Sequence, residues 1–189
     1  MTTKKIQQPI LLQEWQFFDK RGKFLPSKLN NGWIQQNVST NSRGTLRGMH
    51  FQIGNFAQAK LVRVLSGSVI DVVIDLRNIP ENKNYLDVKA YHLTHYENAH
   101  NHPTLFVPKG FAHGFLTLED NTIFEYKIAT QYSKENERSI HYKSFVIFEE
   151  LFKKYNISQT ELNISNKDLE APTLQEWIAI NEDVLPKNF

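Results

Sequence analysis

One stretch decides the fold class of this chain, namely Leu61-Val-Arg-Val-Leu65, Ser66-Gly67, Ser68-Val-Ile-Asp-Val-Val-Ile-Asp-Leu76. Two runs rich in β-branched residues flank a Ser-Gly pair, which is a turn signal. Further runs of the same kind follow, separated by turn residues, at residues 85–93, 104–107, 114–118 and 122–130. Their period-two pattern and short spacing predict a mainly β protein with antiparallel sheets in a sandwich or small barrel.

The C-terminal part of the chain has a different pattern. Aromatic residues from Phe145 to Tyr155 recur at helical spacing with charged residues between them. This spacing predicts an amphipathic helix over residues 144–155, with Ser144 as its N-cap. Residues 172–180 predict a second short helix. The β core is therefore expected to carry one or two peripheral C-terminal helices.

Composition limits the class of protein. A length of 189 residues, with 40% hydrophobic and 22% charged residues, fits a single domain that buries a core. We expect that domain to span residues 1–189, with a β core at about 34–143 and a helical segment at about 144–189. The net charge of +2 is too small to favour nucleic acid as a partner.

The chain contains no cysteine, which excludes disulfides and thiolate metal sites. Its first residues lack the apolar stretch of a signal peptide, and no run approaches the about 18 apolar residues of a membrane helix. We therefore expect a soluble, cytoplasmic protein that has no membrane partner.

Two histidines stand beside glycines on strand-like segments. His50 lies in Leu46-Arg-Gly-Met-His-Phe-Gln52, and His113 lies in Pro108-Lys-Gly-Phe-Ala-His-Gly-Phe115. A histidine at the end of a strand can act as a general base near neutral pH, although a core histidine bonded to a backbone carbonyl is the alternative for His50. The second stretch resembles the second motif of cupin barrels, where the histidine is often a metal ligand. The His-x-His pair of the first cupin motif is missing, so we expect no metal site.

Three polar side chains alternate with apolar residues along predicted strands, and these are Lys60, Asp71 and Tyr126. All three are expected to face inward. A lysine in such a place favours an anionic ligand, because burying an unpaired charge is costly. The phenol of Tyr126 could donate a proton inside a pocket, with core packing as the alternative. A structural ion pair is the alternative for Asp71.

A cluster of four histidines lies between Tyr91 and Pro103, at positions His92, His95, His100 and His102. Their spacing could hold zinc or nickel. The segment is polar and ends in His-Pro, so a solvated loop is the favoured interpretation.

Five motifs in the same order resemble those of the dTDP-4-dehydrorhamnose 3,5-epimerase family, over about residues 19–172. They are Leu46-Arg-Gly-Met-His-Phe-Gln52, Ala57-Gln-Ala-Lys-Leu-Val-Arg63, Phe111-Ala-His-Gly-Phe115, Phe124-Glu-Tyr-Lys127 and Ile164-Ser-Asn-Lys-Asp-Leu-Glu-Ala-Pro172. The sequence departs from the family pattern at Pro26, where the family usually carries a glutamate. The predicted helix from Phe145 to Tyr155 stands where the family has an Asp-x-x-x-Gly-Ile-x-Trp-Pro stretch.

The resemblance implies a cupin-type jelly-roll barrel, usually a homodimer with exchanged N-terminal strands. It implies an isomerase that inverts C3 and C5 of a dTDP-4-keto-6-deoxyhexose in deoxysugar (dTDP-rhamnose-like) biosynthesis. Both carbons flank the ketone, so removal of either proton gives an enolate, and no metal or other cofactor is implied. The alternatives are a single-carbon epimerase, a 3,4-ketoisomerase on a related keto-sugar, and a catalytically silent cupin that binds a sugar nucleotide.

The resemblance also implies roles for individual residues. His50 corresponds to the base and Asp168 to the carboxylate that orients it. Lys60 would stabilise the enolate oxygen, and Tyr126 would return a proton from the opposite face of the ring. The implied pocket and nucleotide contacts are Arg21, Gln35, Asn37, Arg47 and His113, with Asp71 supporting the hydrogen bonds of the site.

Overall fold

A computed structural model of the protein describes residues 7–15, 17–19, 22–24, 32–79, 81–95 and 101–180. Arg21 and Pro26 lie outside these residues. The strands are β1 (Ile10–Trp15), β2 (Phe17–Asp19), β3 (Gly22–Phe24), β4 (Gln35–Asn41), β5 (Leu46–Gln52), β6 (Lys60–Ser66), β7 (Ser68–Asp75), β8 (Val88–Thr94), β9 (Asn101–Val107), β10 (Phe111–Thr117), β11 (Thr122–Ile128) and β12 (Glu137–Ser139). The α-helices are α1 (Ile147–Lys154), α2 (Asn166–Leu169) and α3 (Leu174–Ile180).

Ten of these strands form two five-stranded antiparallel sheets. The first sheet has the order β1-β9-β6-β11-β4, and the second has the order β12-β5-β10-β7-β8. Strands β2 and β3 form a separate hairpin. The mainly β jelly-roll prediction is confirmed, as are the strand runs predicted between residues 61 and 130. The β structure also includes β1, which pairs with β9 and precedes the expected start of the core at about residue 34.

The turn at Ser66-Gly67 connects the two sheets and is not a hairpin. Strand β6 belongs to the first sheet and β7 to the second, although only Gly67 separates them. Gly67 has φ +79°, and a Cβ there would lie 2.2 Å from the Thr122 hydroxyl. Only glycine fits this position without strain. The turn therefore sends the chain across the barrel, so the two runs that it joins face each other.

Two apolar layers hold the sheets in place. The inner layer fills the space between the sheets with buried residues from both, such as Val62, Phe124 and Val73. The second layer lies between the second sheet and the C-terminal helices, where Phe148 and Trp177 pack with Met49. Strand β7 is buried along its whole length, because it contributes side chains to both layers. The tail is thus a structural cover for the second sheet.

Two glycines allow strands β5 and β10 to approach closely. A Cβ on Gly114 would lie 2.6 Å from the carbonyl oxygen of Arg47, and a Cβ on Gly48 would lie 2.6 Å from the Cα of Gly114. The register between the two strands shifts at this point, between His113 and Phe115. Such a contact between backbones is a common reason for glycine inside a strand. It places His50 opposite His113 in the ladder.

The helical tail differs from its prediction at the first cap. Helix α1 begins at Ile147 with Val146 as its N-cap, so Ser144 as the cap is wrong. Residues Tyr142–Ser144 form a 3₁₀ turn instead, and the Ser144 hydroxyl accepts a hydrogen bond from the backbone N–H of Leu174. Ser144 thus links the start of α3 to the turn before α1. The second predicted helix is confirmed as α3 at Leu174–Ile180.

The solvated-loop prediction for the histidine cluster is wrong for two of its members. His92 lies in β8, where its Nε2 is 2.7 Å from the Ser68 hydroxyl, and His102 lies in β9 with 1% of its surface exposed. The loop is therefore shorter than predicted. Polar side chains also fit into strands, because successive residues of a strand point to opposite faces. His100 lies outside the described residues.

Candidate active site

A cavity of about 380 Å³ opens between the two sheets. The first sheet contributes Lys60, Phe124 and Tyr126 to its lining. The second sheet contributes Arg47, His50, His113, Phe115 and Glu137, and the segment before and within α2 contributes Asn163, Ser165, Lys167 and Asp168. The volume lies within the usual range of small-molecule sites, about 300–1,000 Å³. The cavity therefore collects residues from distant parts of the chain into one pocket of suitable size.

His50 and Asp168 form a close pair on one wall of this cavity. The His50 Nε2 atom lies 2.6 Å from Asp168 Oδ1, and 29% of the His50 side chain but only 4% of the Asp168 side chain is exposed. Burial alone would raise the pKa of Asp168, but its bond to His50 and that imidazole's charge lower it below its ordinary value. The carboxylate therefore stays ionised, holds the ring and leaves Nδ1 as the nitrogen that can accept a proton.

The backbone on either side of Asp168 explains why the carboxylate reaches β5. After α1 the chain returns alongside the start of β5, where the Leu46 N–H donates to Asn163 O and the Asn163 N–H donates to Gly44 O. Ser165 then caps α2 by accepting a hydrogen bond from the backbone N–H of Asp168. The Gly48 N–H also points to Asp168 Oδ2 at 3.4 Å. These contacts fix the carboxylate next to His50.

Lys60 supplies a cation beside this pair. Its side chain is half-buried at the start of β6, and its Nζ lies 3.5 Å from the backbone oxygen of His50. Burial lowers the pKa of Lys60 to about 8, against the opposing effect of the charges of Asp71 and Glu137. The ammonium group is therefore still largely protonated at neutral pH and only partly solvated. Such a group can stabilise an oxyanion strongly.

Tyr126 faces the cavity from the opposite sheet. Its phenol is half-buried, and burial raises its pKa, although the charge of Arg47 acts in the other direction. The stacked rings of Phe115 and Phe124, with centroids 4.0 Å apart, line the cavity beside it. The phenol therefore keeps its proton near neutral pH and can donate it into the cavity.

His113 and Asp71 form a second histidine–carboxylate pair, more deeply buried than the first. His113 Nε2 lies 2.8 Å from Asp71 Oδ2, and Asp71 has no exposed surface and does not line the cavity. Burial lowers the pKa of His113 and raises that of Asp71. Asp71 thus holds the imidazole of His113 from behind, and His113 alone of the two can contact a ligand in the cavity.

Several cavity residues were not predicted, namely Thr45, Phe115, Phe124, Glu137, Asn163, Ser165 and Lys167. Glu137 accepts a hydrogen bond from the Tyr132 hydroxyl and forms an ion pair with Lys167. The spacing of Ser165 and Asp168 is a typical helix-start signal and could have revealed α2. No local signal marks Glu137, because it reaches the cavity only through the pairing of β12 with β5.

Three predicted contacts either lie away from the cavity or fall outside the described residues. Gln35 and Asn37 lie on the edge strand β4, where the Gln35 amide donates to Asn37 Oδ1 at 2.8 Å, and neither residue lines the cavity. Arg21 lies outside the described residues.

Within the described part of the chain, no group of three or more His, Cys, Asp or Glu side chains is arranged to hold a metal ion. No described helix is long and apolar enough to cross a membrane.

A jelly-roll barrel whose cavity carries a histidine–carboxylate pair, a cation and an opposing phenol defines an isomerase-type site. The model of the dTDP-4-dehydrorhamnose 3,5-epimerase family matches residues 3–176. The chain belongs to this family. It is 36% identical over 146 residues to the dTDP-4-dehydrorhamnose 3,5-epimerase of Escherichia coli K12, covering 72% of this chain and 76% of that enzyme.

Two further comparisons extend the similarity to nearly the whole chain. The dTDP-4-dehydrorhamnose 3,5-epimerase of Salmonella typhimurium LT2 is 34% identical over 177 residues, covering 88% of this chain and 91% of that enzyme. The crystal structure of a dTDP-6-deoxy-D-glucose-3,5-epimerase from Legionella pneumophila, in complex with dTDP-4-keto-L-rhamnose, superposes with a TM-score of 0.76. It shares 29% identity and covers 98% of this chain and 96% of its own.

Proposed function

We propose that this protein inverts C3 and C5 of a dTDP-4-keto-6-deoxyhexose, in the biosynthesis of a dTDP-rhamnose-like deoxysugar. The observation that carries the proposal is the placement of proton-transfer groups on opposite walls of one cavity. His50 with Asp168 belongs to the wall of the second sheet, and Tyr126 belongs to the wall of the first. Inversion needs this arrangement, since a proton must leave one face of the ring and return to the other.

The first step is removal of the proton at the carbon next to the ketone. Nδ1 of His50 accepts this proton, and the Asp168 carboxylate stabilises the imidazolium that forms. The electron pair of the C–H bond moves into the ring and places a negative charge on the ketone oxygen. Lys60, beside His50, is the cation that stabilises this enolate oxygen.

The second step returns a proton from the opposite face. Tyr126 donates its phenolic proton to the carbon, and the enolate collapses to the ketone with inverted configuration. The same set of groups serves both C3 and C5, because the two carbons flank one carbonyl. Each inversion leaves His50 protonated and Tyr126 deprotonated, and proton exchange with solvent restores both groups before the second carbon reacts. Every step is a proton transfer, and the proposal includes no cofactor.

The anionic part of the substrate requires cations near the cavity. We assign the diphosphate to Arg47, whose guanidinium lines the cavity and suits phosphate oxygens. His113, held by Asp71, is assigned to the sugar end. The predicted contacts of Arg21, Gln35 and Asn37 with the nucleotide remain part of the proposal.

We further propose a homodimer in the cytoplasm, in which each chain is a single domain. Strand β1 is an edge strand of the first sheet and exposes apolar side chains at Ile10, Leu11 and Leu12. Exposed apolar edges of this kind favour pairing with another chain. The absence of cysteine in 189 residues agrees with a reducing compartment. Light scattering of the purified protein tests the dimer.

The experiment for the proposed activity is NMR of dTDP-4-keto-6-deoxyglucose incubated with the protein in D₂O. We expect deuterium at both C3 and C5 with the wild-type protein and at neither carbon with His50→Ala. Label at C3 alone would replace the proposal with a single-carbon epimerase. Complete absence of label would contradict an epimerase on this sugar, and binding without label would identify a silent binder.

A further inference from the structure

Asn41 is a buried amide directly behind the cavity cation Arg47. Asn41 is the last residue of β4, and only 3% of its surface is exposed. The amide Nδ2 lies 3.3 Å from the backbone oxygens of Thr122 and Ser39, and 3.1 Å from the Ser39 hydroxyl. The amide Oδ1 accepts a hydrogen bond of 2.9 Å from Arg47 Nε. Asn41 does not line the cavity, and Arg47 is the one of its hydrogen-bond partners that does.

The hydrogen-bond network settles which way this amide points. A flipped amide would place its oxygen against two carbonyl oxygens and its NH₂ group against the Nε–H of Arg47. Both contacts would be repulsive, because an amide oxygen only accepts and an arginine only donates. The buried end of β4 therefore presents a fixed acceptor to the arginine.

The position of Arg47 gives the Asn41 acceptor a way to influence a ligand in the cavity. The arginine is exposed and lines the cavity, so its long side chain has room to move. The bond to Asn41 uses the Nε–H and leaves both terminal amino groups for a ligand. A guanidinium that is already held loses less conformational freedom when it binds an anion than one that is not. Its charge also acts on the phenol of Tyr126.

We propose that Asn41 is a positioning residue that fixes the guanidinium of Arg47 for the diphosphate of the substrate. The inference deepens the proposed function, on which it rests for the identity of the anion. In this role Asn41 lowers the cost of anion binding, and its own hydrogen bonds go to Ser39, Thr122 and Arg47 and not to a proton-transfer group.

Asn41 also connects β4 to β11 through Thr122, so its loss has a structural effect as well. A test must therefore measure a quantity that the loss of this connection does not change. The coupling free energy between Asn41 and Arg47 in anion binding is such a quantity, because the contact of Asn41 with β11 contributes equally whether or not the arginine is present. Inorganic pyrophosphate is the probe, since it has the anion without nucleoside or sugar.

The experiment is a double-mutant cycle of Asn41→Ala and Arg47→Ala, with pyrophosphate affinity measured by calorimetry. Thr40→Ala is the matched control, because Thr40 is an exposed neighbour on the same strand. We expect Asn41→Ala to weaken pyrophosphate binding about three- to tenfold, from the ordering of one long side chain. In the Arg47→Ala protein the same change should have no further effect, and Thr40→Ala should bind as the wild type does.

Equal losses from Asn41→Ala in both backgrounds would overturn the inference in favour of a structural role. Wild-type affinity in Asn41→Ala would overturn it as well, and so would a wild-type protein that does not bind pyrophosphate. For a substrate that the protein turns over, we expect Asn41→Ala to raise KM with little change in kcat. Failure of the proposed function would instead appear as absent deuterium label, while the pyrophosphate cycle still decides the role of Asn41.

Discussion

His50 and Asp168 are 118 residues apart in the chain, yet His50 Nε2 and Asp168 Oδ1 lie 2.6 Å apart. The pair joins a strand of the second sheet to a helix of four residues in the tail. In the proposed mechanism the tail therefore has a second task besides covering the sheet, because it delivers the carboxylate that would make His50 an effective base.

Asp168→Asn tests the contribution of this carboxylate. The amide keeps the shape but lacks the charge that stabilises the imidazolium, so we expect kcat to fall about 10²- to 10⁴-fold with a smaller change in KM. Steady-state kinetics on the keto-sugar nucleotide measure the effect. Glu170→Gln is the control, because Glu170 is an exposed carboxylate at the end of the same helix, and its activity should be unchanged. An Asp168→Asn protein within tenfold of the wild type would remove this residue from the mechanism.

Lys60 predicts an alkaline limit to activity. Burial lowers its pKa to about 8, so the charge that is proposed to stabilise the enolate is present below this pH and lost above it. We expect kcat/KM to fall as the pH rises through about 8. The negative charge of Glu137 raises the pKa of Lys60, so Glu137→Gln should move the limit to lower pH. A limit that stays in place in Glu137→Gln would show that another group titrates.

The same pKa shift has a consequence for stability. Because the pKa of Lys60 is lowered on folding, the unfolded chain binds more protons than the folded one between pH 8 and 10.5. The burial of this charge therefore costs stability below pH 8, and the cost fades as the pH rises toward 10.5. We expect Lys60→Met to raise the free energy of unfolding at pH 7 by roughly 1–3 kcal/mol while abolishing activity. Urea unfolding measures it, and a Lys60→Met protein less stable than the wild type would contradict this.

Gly114→Ala tests the close approach of β5 and β10. The added methyl would lie 2.6 Å from the Arg47 carbonyl oxygen and 2.8 Å from the Met49 sulfur, so the strands must separate. We expect a loss of about 2 kcal/mol or more in unfolding free energy, with a lower melting temperature. Gly54→Ala is the comparison, because a Cβ there meets nothing within 4 Å and the change adds only the strain of φ +61°, about 1 kcal/mol. Equal effects of the two changes would contradict the close approach.

The fold was predictable from the sequence because its signals are local. The runs of β-branched and aromatic residues at 61–76 and 122–130 are strand signals in themselves, and both runs form the expected strands. The inward direction of Lys60, Asp71 and Tyr126 followed from their alternation with apolar residues. The capping error at Ser144 arose because a serine before an apolar run also suits a tertiary contact, here with the Leu174 N–H.

The candidate site was only partly predictable, since much of it depends on contacts between distant segments. Nothing near Glu137 in the sequence indicates that β12 would pair with β5 and bring the carboxylate to the cavity. The contact of Asn41 with Arg47 likewise depends on how the end of β4 meets β11. The pairing of His50 with Asp168 was expected from the resemblance to the family and not from any spacing in the chain.

The most direct test of the central claim uses Tyr126→Phe in D₂O. The change removes one hydroxyl and keeps the ring beside Phe124, so the base on the opposite wall is left intact. We predict that C3 and C5 of the recovered keto-sugar still take up deuterium with retained configuration, while inverted product falls about 10²- to 10⁴-fold. Loss of exchange and inversion together, or undiminished inversion, would contradict the assignment of base and acid to opposite walls.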